Sequence, residues 1–287
     1  MATTAKKLHT LNRQHYSHVT KINGIDLYYE YYQNANAKET LFLIHGFLAS
    51  SFSFRYIIPK LMNQYQIIAV DIPPFGKSGK DLKFTFSYEN IAATFIQLIK
   101  KLKLNKVSLV GHSMGGQIGL YMALQQPEIF DKIILFASSG YLQQVRKSLI
   151  FLSYLPFAHK FVKKKLIESG GVEGNLKKVV YDKNQITEEM IQGYLEPYIE
   201  DDAIFHALAK FSRDREGDLS KKDLNKIHTP CLLVWGKEDQ IVPLQVGKQL
   251  NIDLPNSNLI VLDKTGHLTP EERPEETCRL IQKFIDG

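Results

Sequence analysis

Several features that would place this chain outside the ordinary globular enzymes are missing from its sequence. Only two of the 287 residues are cysteine, Cys231 and Cys278, and they lie far apart, so neither a disulfide framework nor a cysteine-based zinc site is expected. No run approaches the roughly 18 apolar residues of a membrane span, and the basic N-terminus lacks the apolar core of a secretory signal. Repeats, low-complexity segments and nucleic-acid-binding motifs are also missing. We therefore expect a cytoplasmic protein that does not bind nucleic acid.

The positive charge of the chain is concentrated in one segment. The formal net charge is +6, and residues Gln143–Lys183 contain nine lysines and arginines against three carboxylates. This local excess equals that of the whole chain. A solvated helix face would explain it, and so would attraction to an anionic substrate or lipid surface. The expected lipid contact is a weak one, made through this basic segment.

An apolar stretch, Ser148–Phe157, lies inside the same basic segment. It would pack against the core of the protein in the simpler interpretation. In the alternative it lines a site for an acyl chain, or forms a lid that touches lipid.

The pattern of hydrophobic residues predicts strands alternating with helices. Thr40–Ile44 and Gln66–Val70 are continuous apolar runs, typical of strands buried on both faces. Ser87–Lys103 has apolar residues at three- and four-residue spacing, which indicates an amphipathic helix, and Asn23-Gly24 predicts a type I′ hairpin. This alternation predicts an α/β fold with a mostly parallel central sheet and helices on both faces.

The alternation stops in the middle of the chain. Residues 140–225 show helical, lysine- and tyrosine-rich stretches without a buried-strand pattern, and we interpret them as an inserted helical cap, or lid. Residues 18–139 and 226–287 then form the core. Residues 1–17 are polar and are expected to be a mobile tail.

The most informative motif is Gly-His-Ser-Met-Gly at residues 111–115. It follows an apolar strand and precedes a helical segment, which is the strand–turn–helix context of the G-x-S-x-G motif. Ser113 would sit in a strained turn that exposes its hydroxyl, and the flanking glycines avoid collisions in that turn. The Met114 N–H would lie at a helix N-terminus, where it could hold a developing oxyanion. A Gly-Ser-Gly string can also be a simple turn. The interpretation of Ser113 as a nucleophile therefore requires that the rest of the chain supply a base, an acid and a second oxyanion donor.

Two loop residues are candidates for the base and the acid. His267 follows the last predicted strand, and Asp239 follows the strand Cys231–Trp235. Either could be an ordinary loop residue. With Ser113 they give the chain order Ser…Asp…His, in which the imidazole takes the serine proton and the carboxylate orients the imidazole.

The second oxyanion donor is predicted at the end of the third strand. His45-Gly46-Phe47 follows an apolar run, and the Phe47 N–H would form an oxyanion hole together with that of Met114. The simpler alternative is a turn after a strand. His112 lies inside the serine turn and is interpreted as structural.

From about Ile22 onward, the chain resembles the α/β-hydrolase-fold serine hydrolases, in particular the bacterial carboxylesterase/lipase-like branch with a helical cap. The segments that carry the resemblance are residues 45–47, 71–79, 111–116, 236–242 and 266–267. The resemblance implies a carboxylic ester hydrolase that acts on a small-molecule ester through an acyl-enzyme and needs no metal or organic cofactor. The oligomeric state is left open.

The same resemblance separates the chain from some relatives and leaves others open. Epoxide hydrolases and haloalkane dehalogenases of this fold carry an aspartate where Ser113 stands, which excludes both. Serine C–C bond hydrolases commonly carry a tryptophan after the catalytic histidine, whereas here it is Leu268. A C–C hydrolase, perhydrolase or lactonase therefore stays an alternative. A ligand-binding receptor that retains the triad is an alternative of another class, and an ester turnover assay would distinguish it.

Overall fold

An eight-stranded sheet forms the centre of the protein. The computed structural model describes residues 13–144, 150, 153–154, 157–168, 170–199 and 203–287. Hydrogen bonds join the strands in the order β1-β2-β4-β3-β5-β6-β7-β8. The strands are β1 (Arg13–Ile22), β2 (Ile25–Asn34), β3 (Thr40–Ile44), β4 (Gln66–Val70), β5 (Val107–His112), β6 (Phe130–Phe136), β7 (Cys231–Gly236) and β8 (Ser257–Leu262).

The sheet is mostly parallel, as predicted. Strands β1 and β2 form an antiparallel hairpin whose turn residues Asn23 and Gly24 have φ angles of 50° and 83°, in keeping with a type I′ turn. Strand β2 also pairs antiparallel with β4, and all the remaining pairs are parallel. The carboxyl ends of β3, β5, β7 and β8 therefore meet at one edge of the sheet, where open α/β sheets bind their ligands.

Helices cover both faces of this sheet. In β3, Phe42 and Ile44 face one core cluster, whereas Leu41 and Leu43 face the other, as the two-residue period of a strand requires. The helices are α1 (Ile58–Leu61), α2 (Tyr88–Lys101), α3 (Met114–Gln125), α4 (Ala158–Glu168), α5 (Gly171–Val179), α6 (Glu188–Ile199), α7 (Ala203–Asp214), α8 (Lys221–Leu224), α9 (Leu244–Asp253), α10 (Thr269–Glu272) and α11 (Pro274–Asp286). None of the helices in this described part combines the length and the apolar content needed to cross a membrane.

Helices α4 to α8, which we call the helical insertion, lie in the chain between β6 and β7. Helix α7 buries Phe205, Leu208 and Phe211 in the larger core cluster. Leu176 and Met190 of the insertion pack with Leu268, which follows β8. These contacts seat the insertion at the edge of the sheet described above. The division of the chain into core and cap stays a prediction.

The N-terminal boundary differs from the predicted one. Strand β1 begins at Arg13, so residues 13–17, which the sequence pattern assigns to a mobile tail, belong to the sheet. The reason is cross-strand pairing, which composition does not reveal: the ring of His15 stacks on that of Tyr32 at 4.3 Å. Residues 1–12, and most of the apolar stretch 148–157, lie outside the described residues.

Candidate active site

Ser113 lies in the tight turn between β5 and α3. Its φ and ψ angles are 52° and −119°, a conformation that costs a side-chain-bearing residue on the order of 1–3 kcal/mol. The turn is possible because glycine stands on both sides. A Cβ atom at Gly111 would lie 2.7 Å from the backbone of α3, and one at Gly115 would lie 2.2 Å from a carbonyl oxygen of β3. The surrounding packing therefore enforces the strained turn that the motif predicts.

The three residues proposed as nucleophile, base and acid form one hydrogen-bonded chain. The Nε2 atom of His267 lies 2.9 Å from the Ser113 Oγ, and its Nδ1 lies 2.8 Å from Oδ2 of Asp239. The other carboxylate oxygen accepts the N–H groups of Ile241 and Val242 at 2.8 and 2.9 Å. A carboxylate only accepts, so Nδ1 carries the imidazole proton and Nε2 can accept the serine proton. The His267 and Asp239 side chains are 6% and 0% exposed.

His45 fixes the backbone beside the serine, a role that no pattern in the sequence predicts. Its Nδ1 donates to the Gly46 carbonyl oxygen at 2.7 Å, and its Nε2 accepts the Ile72 N–H at 2.8 Å. The Gly46 carbonyl and the Phe47 N–H belong to one peptide group. In a trans peptide these two groups point in opposite directions, so the Phe47 N–H points away from the His45 ring. A Cβ atom at Gly46 would lie 3.2 Å from that of the serine. Met114 is the first residue of α3, where helix N–H groups lack an intrahelical partner.

His112 has a second function besides filling the turn. Its Nε2 lies 2.9 Å from the backbone carbonyl oxygen of His267, and because a carbonyl only accepts, this nitrogen donates. Burial lowers the pKa of His112 to about 3, so the ring stays neutral and Nε2 keeps its proton without a charge. The two residues are 155 apart in the chain, and no local pattern reveals such a contact.

Glu272 holds the loop that carries His267. Its carboxylate accepts the N–H groups of Gly266 at 3.0 Å and Leu268 at 3.2 Å, which are the two neighbours of the histidine. It also accepts the Tyr181 N–H of the helical insertion at 2.7 Å. A carboxylate that accepts several backbone N–H groups is a strong anchor. Its position five residues after His267 is the only trace of this contact in the sequence.

The same loop is bonded directly to the helical insertion. The His267 N–H donates to the carbonyl oxygen of Val179, the last residue of α5, at 2.7 Å. With the Tyr181 bond to Glu272, two bonds thus link the insertion to the loop that carries His267. A displacement of the C-terminal end of α5 would therefore move the imidazole.

We expect Glu272→Gln to lower kcat by about tenfold or more, because an amide presents one acceptor and one donor to three N–H groups, and small displacements of a reacting group are costly. KM should change little, since Glu272 does not line the cavity described below. Steady-state kinetics on a short-chain ester measures both constants. The matched control is Glu275→Gln, which changes an exposed carboxylate that pairs with Lys60. Equal kcat values for Glu272→Gln and wild type would show that Glu272 does not position His267.

The buried, neutral state of His112 predicts a pH-dependent stability difference. Below pH 6.5 the unfolded chain protonates this residue while the native protein does not, so His112 by itself lowers the free energy of unfolding by on the order of 2 kcal/mol between pH 6.5 and pH 5. The variant His112→Gln lacks this pH-dependent loss. At pH 7 we expect it to be less stable than the wild type. Asp71 and Asp218, whose pKa values burial raises to about 6, stabilise the native state as the pH falls, but they do so in both proteins and cancel in the difference. Urea unfolding at pH 6.5 and pH 5 measures the difference in free energy of unfolding between the two proteins. A difference that does not change with pH would contradict the neutral state of His112.

A cavity of about 400 Å³ opens beside Ser113 and His267. Its walls come from both the sheet edge and the helical insertion, and most of them are apolar. Apolar lining residues include Leu48, Val172, Leu176, Leu195, Phe205 and Ile241. Lys163 is the only lysine or arginine among the described lining residues, and its Nζ lies 5.2 Å from the Phe205 ring centre. The Tyr194 hydroxyl, also in the wall, donates to Glu271.

Known proteins share this architecture and much of the sequence. The family model described as "alpha/beta hydrolase fold" matches residues 39–274. The uncharacterized hydrolase YugF of Bacillus subtilis strain 168 is 49% identical, over 92% of this chain and 96% of its own. A 2-hydroxy-6-oxononadienedioate/2-hydroxy-6-oxononatrienedioate hydrolase of Paraburkholderia phymatum is 29% identical, over 91% of this chain and 92% of its own. Among solved structures, an esterase from Exiguobacterium antarcticum superposes with a TM-score of 0.78 at 21% identity, over 94% of this chain and 99% of that one.

Proposed function

The chain belongs to the α/β-hydrolase fold family, and from this premise we propose that it is a serine hydrolase that cleaves carboxylic esters through an acyl-enzyme. The observation that carries the proposal is the hydrogen-bonded chain from Ser113 through His267 to Asp239, which opens onto an apolar cavity. A serine hydroxyl is a weak nucleophile, and a base in contact with it removes its proton as it attacks.

In the first half of the reaction, Ser113 Oγ bonds to the ester carbonyl carbon while its proton passes to Nε2 of His267. The imidazolium that forms is stabilised by the Asp239 carboxylate on its other side. The carbonyl oxygen becomes an oxyanion, which the N–H groups of Phe47 and Met114 would hold. Each such donor contributes roughly 3–4 kcal/mol of transition-state stabilisation in related sites.

Collapse of this tetrahedral intermediate breaks the bond between the carbonyl carbon and the alcohol oxygen. The leaving alcohol receives the proton from Nε2, and the acyl group stays on Ser113. Water then enters, gives a proton to the same nitrogen and attacks the acyl carbon. The acid is released, and the serine recovers its proton from His267.

The cavity supports a substrate with an apolar acyl group. Its volume of about 400 Å³ lies near the lower end of the roughly 300–1,000 Å³ that is common for ligand pockets. Most of its described wall is apolar, and the Tyr194 hydroxyl already has a carboxylate partner. A charged acyl end would lose its hydration there, and Lys163 is the only lysine or arginine in the described wall that could compensate for this loss. In this proposal residues 140–225 form the cap that completes the wall.

A panel of p-nitrophenyl esters of increasing acyl length tests the substrate class. Each methylene buried in the cavity contributes about 0.8 kcal/mol, so kcat/KM should rise by up to about fourfold per methylene until the cavity is filled. Esters of the same length that end in a carboxylate should be hydrolysed more slowly. A flat profile, or a preference for the charged esters, would argue against an apolar acyl site.

A C–C bond hydrolase is the second candidate, because the Paraburkholderia relative is named as a hydrolase of dienedioate compounds. Lys163 in the cavity wall is a residue that could pair with one carboxylate of such a substrate. Turnover of 2-hydroxy-6-oxononadienedioate with a higher kcat/KM than any ester would favour this candidate. Lys163→Met should then abolish it while leaving neutral esters nearly unaffected.

A further inference from the structure

Exposed aromatic and aliphatic side chains are concentrated on helix α4 and just before it. Of the thirteen large apolar or aromatic side chains that are exposed in the described part of the chain, four lie between residues 154 and 167. Tyr154, Phe157, Phe161 and Ile167 are 64–70% exposed. Phe157 and Phe161 are one helical turn apart and therefore lie side by side. Clusters of this kind mark interaction sites, whereas single exposed apolar residues are ordinary.

The same face of α4 is basic. Lys160, Lys164 and Lys165 are exposed, and Glu168 is the only carboxylate on the helix, 3.6 Å from the Lys164 amine. The Lys160 amine lies 5.2 Å from the ring centre of Phe157. Lysine stems can lie along apolar surface while their amines reach polar groups. The face therefore combines aromatic rings with an excess of positive charge.

The opposite face of α4 is already occupied. Val162 packs against the larger core cluster, and the His159 ring stacks on that of His206 in α7 at 3.7 Å. This packing fixes the orientation of α4 and leaves the side with Phe157 and Phe161 exposed.

The exposed face reaches the rim of the proposed active site. Ile167 is 64% exposed and also lines the cavity beside Ser113, as does Lys163 of the same helix. Phe47 and Ile241, which are 50% and 47% exposed, line the cavity as well. A surface that covers the outer face of α4 would therefore lie next to the cavity opening.

We propose that the outer face of α4, with Phe157, Phe161, Lys160, Lys164 and Lys165, docks on an anionic lipid surface. Aromatic rings and lysines on one helix face suit the boundary between head groups and acyl chains, and the lysines are attracted by anionic head groups. A second copy of this chain fits less well, because two identical basic faces repel each other. The docking goes beyond the proposed function, since it requires no turnover.

Vesicle co-sedimentation of the full-length protein tests this docking. The wild type should bind vesicles that contain phosphatidylglycerol, bind those of phosphatidylcholine alone far less, and dissociate as the salt concentration rises. The double variant Phe157→Ser/Phe161→Ser should lower the partition coefficient at least about tenfold, because two aromatic side chains no longer leave water. The triple variant Lys160→Glu/Lys164→Glu/Lys165→Glu should remove the preference for the anionic lipid.

Control variants change exposed residues on helices other than α4. Ile252→Ser removes a side chain that is 68% exposed on α9, and Lys222→Glu/Lys248→Glu reverses two exposed lysines; both should bind as the wild type does. All these variants should hydrolyse a soluble short-chain ester normally, since none of the changed residues lines the cavity. Ser113→Ala should still bind vesicles, so the ester proposal can fail without affecting this test.

Three results would overturn the docking proposal. The first is a wild type that ignores anionic vesicles, and the second is a set of α4 variants that bind them unchanged. The third is a wild-type dimer in size-exclusion chromatography that Phe157→Ser/Phe161→Ser dissociates, with no vesicle binding by either protein. That outcome would assign the face to contact between copies of this chain.

Discussion

The Ser113→Ala variant is expected to lower kcat for ester hydrolysis by roughly 10⁴- to 10⁶-fold. The hydroxyl is the only protein group that bonds to the acyl carbon in the proposed mechanism, and without it no acyl-enzyme can form. What remains should be the small contribution of the oxyanion donors and of substrate binding. Turnover of p-nitrophenyl butyrate, measured with active-site titration of the wild type, gives the ratio.

The fold of this variant should be intact, because within the described residues the Ser113 hydroxyl forms a hydrogen bond only with His267. Ser138→Ala is a suitable control, since Ser138 is a buried serine beside the same turn whose hydroxyl bonds to a backbone carbonyl; it should keep most of its activity. Full activity in Ser113→Ala would rule out the mechanism. A wild type without any ester turnover would instead favour a ligand-binding protein that retains the three side chains.

The second large effect is expected for Asp239→Asn, with a loss of about 10⁴-fold in kcat. One oxygen of this carboxylate accepts the N–H groups of Ile241 and Val242, so the asparagine carbonyl must take that position. Its NH₂ group then faces Nδ1 of His267 and forces this nitrogen to accept. The remaining proton moves to Nε2, which can no longer take the proton of Ser113.

Steady-state kinetics compared with the exposed carboxylate variant Asp263→Asn would measure this effect. Asp263 pairs with Lys237 at the surface, and its neutralisation should leave kcat close to that of the wild type. A loss of kcat of less than about tenfold in Asp239→Asn would contradict the expected shift of the His267 proton to Nε2. The asparagine would then orient the imidazole about as effectively as the carboxylate.

The contact among Ser113, Asp239 and His267 could be anticipated from the sequence because each follows a predicted strand. Parallel strands end at one edge of the sheet, so residues far apart in the chain meet there. The hydrophobic periods predicted those strands and the helices between them. The G-x-S-x-G turn added a local conformation that only its flanking glycines permit.

The supporting residues could not be anticipated in this way. His45, His112 and Glu272 act on backbone groups of other segments, and a bond to a peptide group places no requirement on the residue type of its partner. The bond between Val179 and His267 joins two backbones and leaves no trace in either side chain. Such contacts depend on how the helical insertion sits on the sheet, which hydrophobic periodicity does not determine.

The most direct test of the proposed mechanism is covalent labelling with a fluorophosphonate, followed by peptide mapping. In the labelling reaction the Ser113 oxygen would bond to phosphorus as fluoride leaves, with the proton taken by His267. We expect one label per chain, located on Ser113, with ester hydrolysis lost in proportion to labelling. Complete labelling of another residue, or undiminished ester hydrolysis by protein that is fully labelled at Ser113, would contradict it.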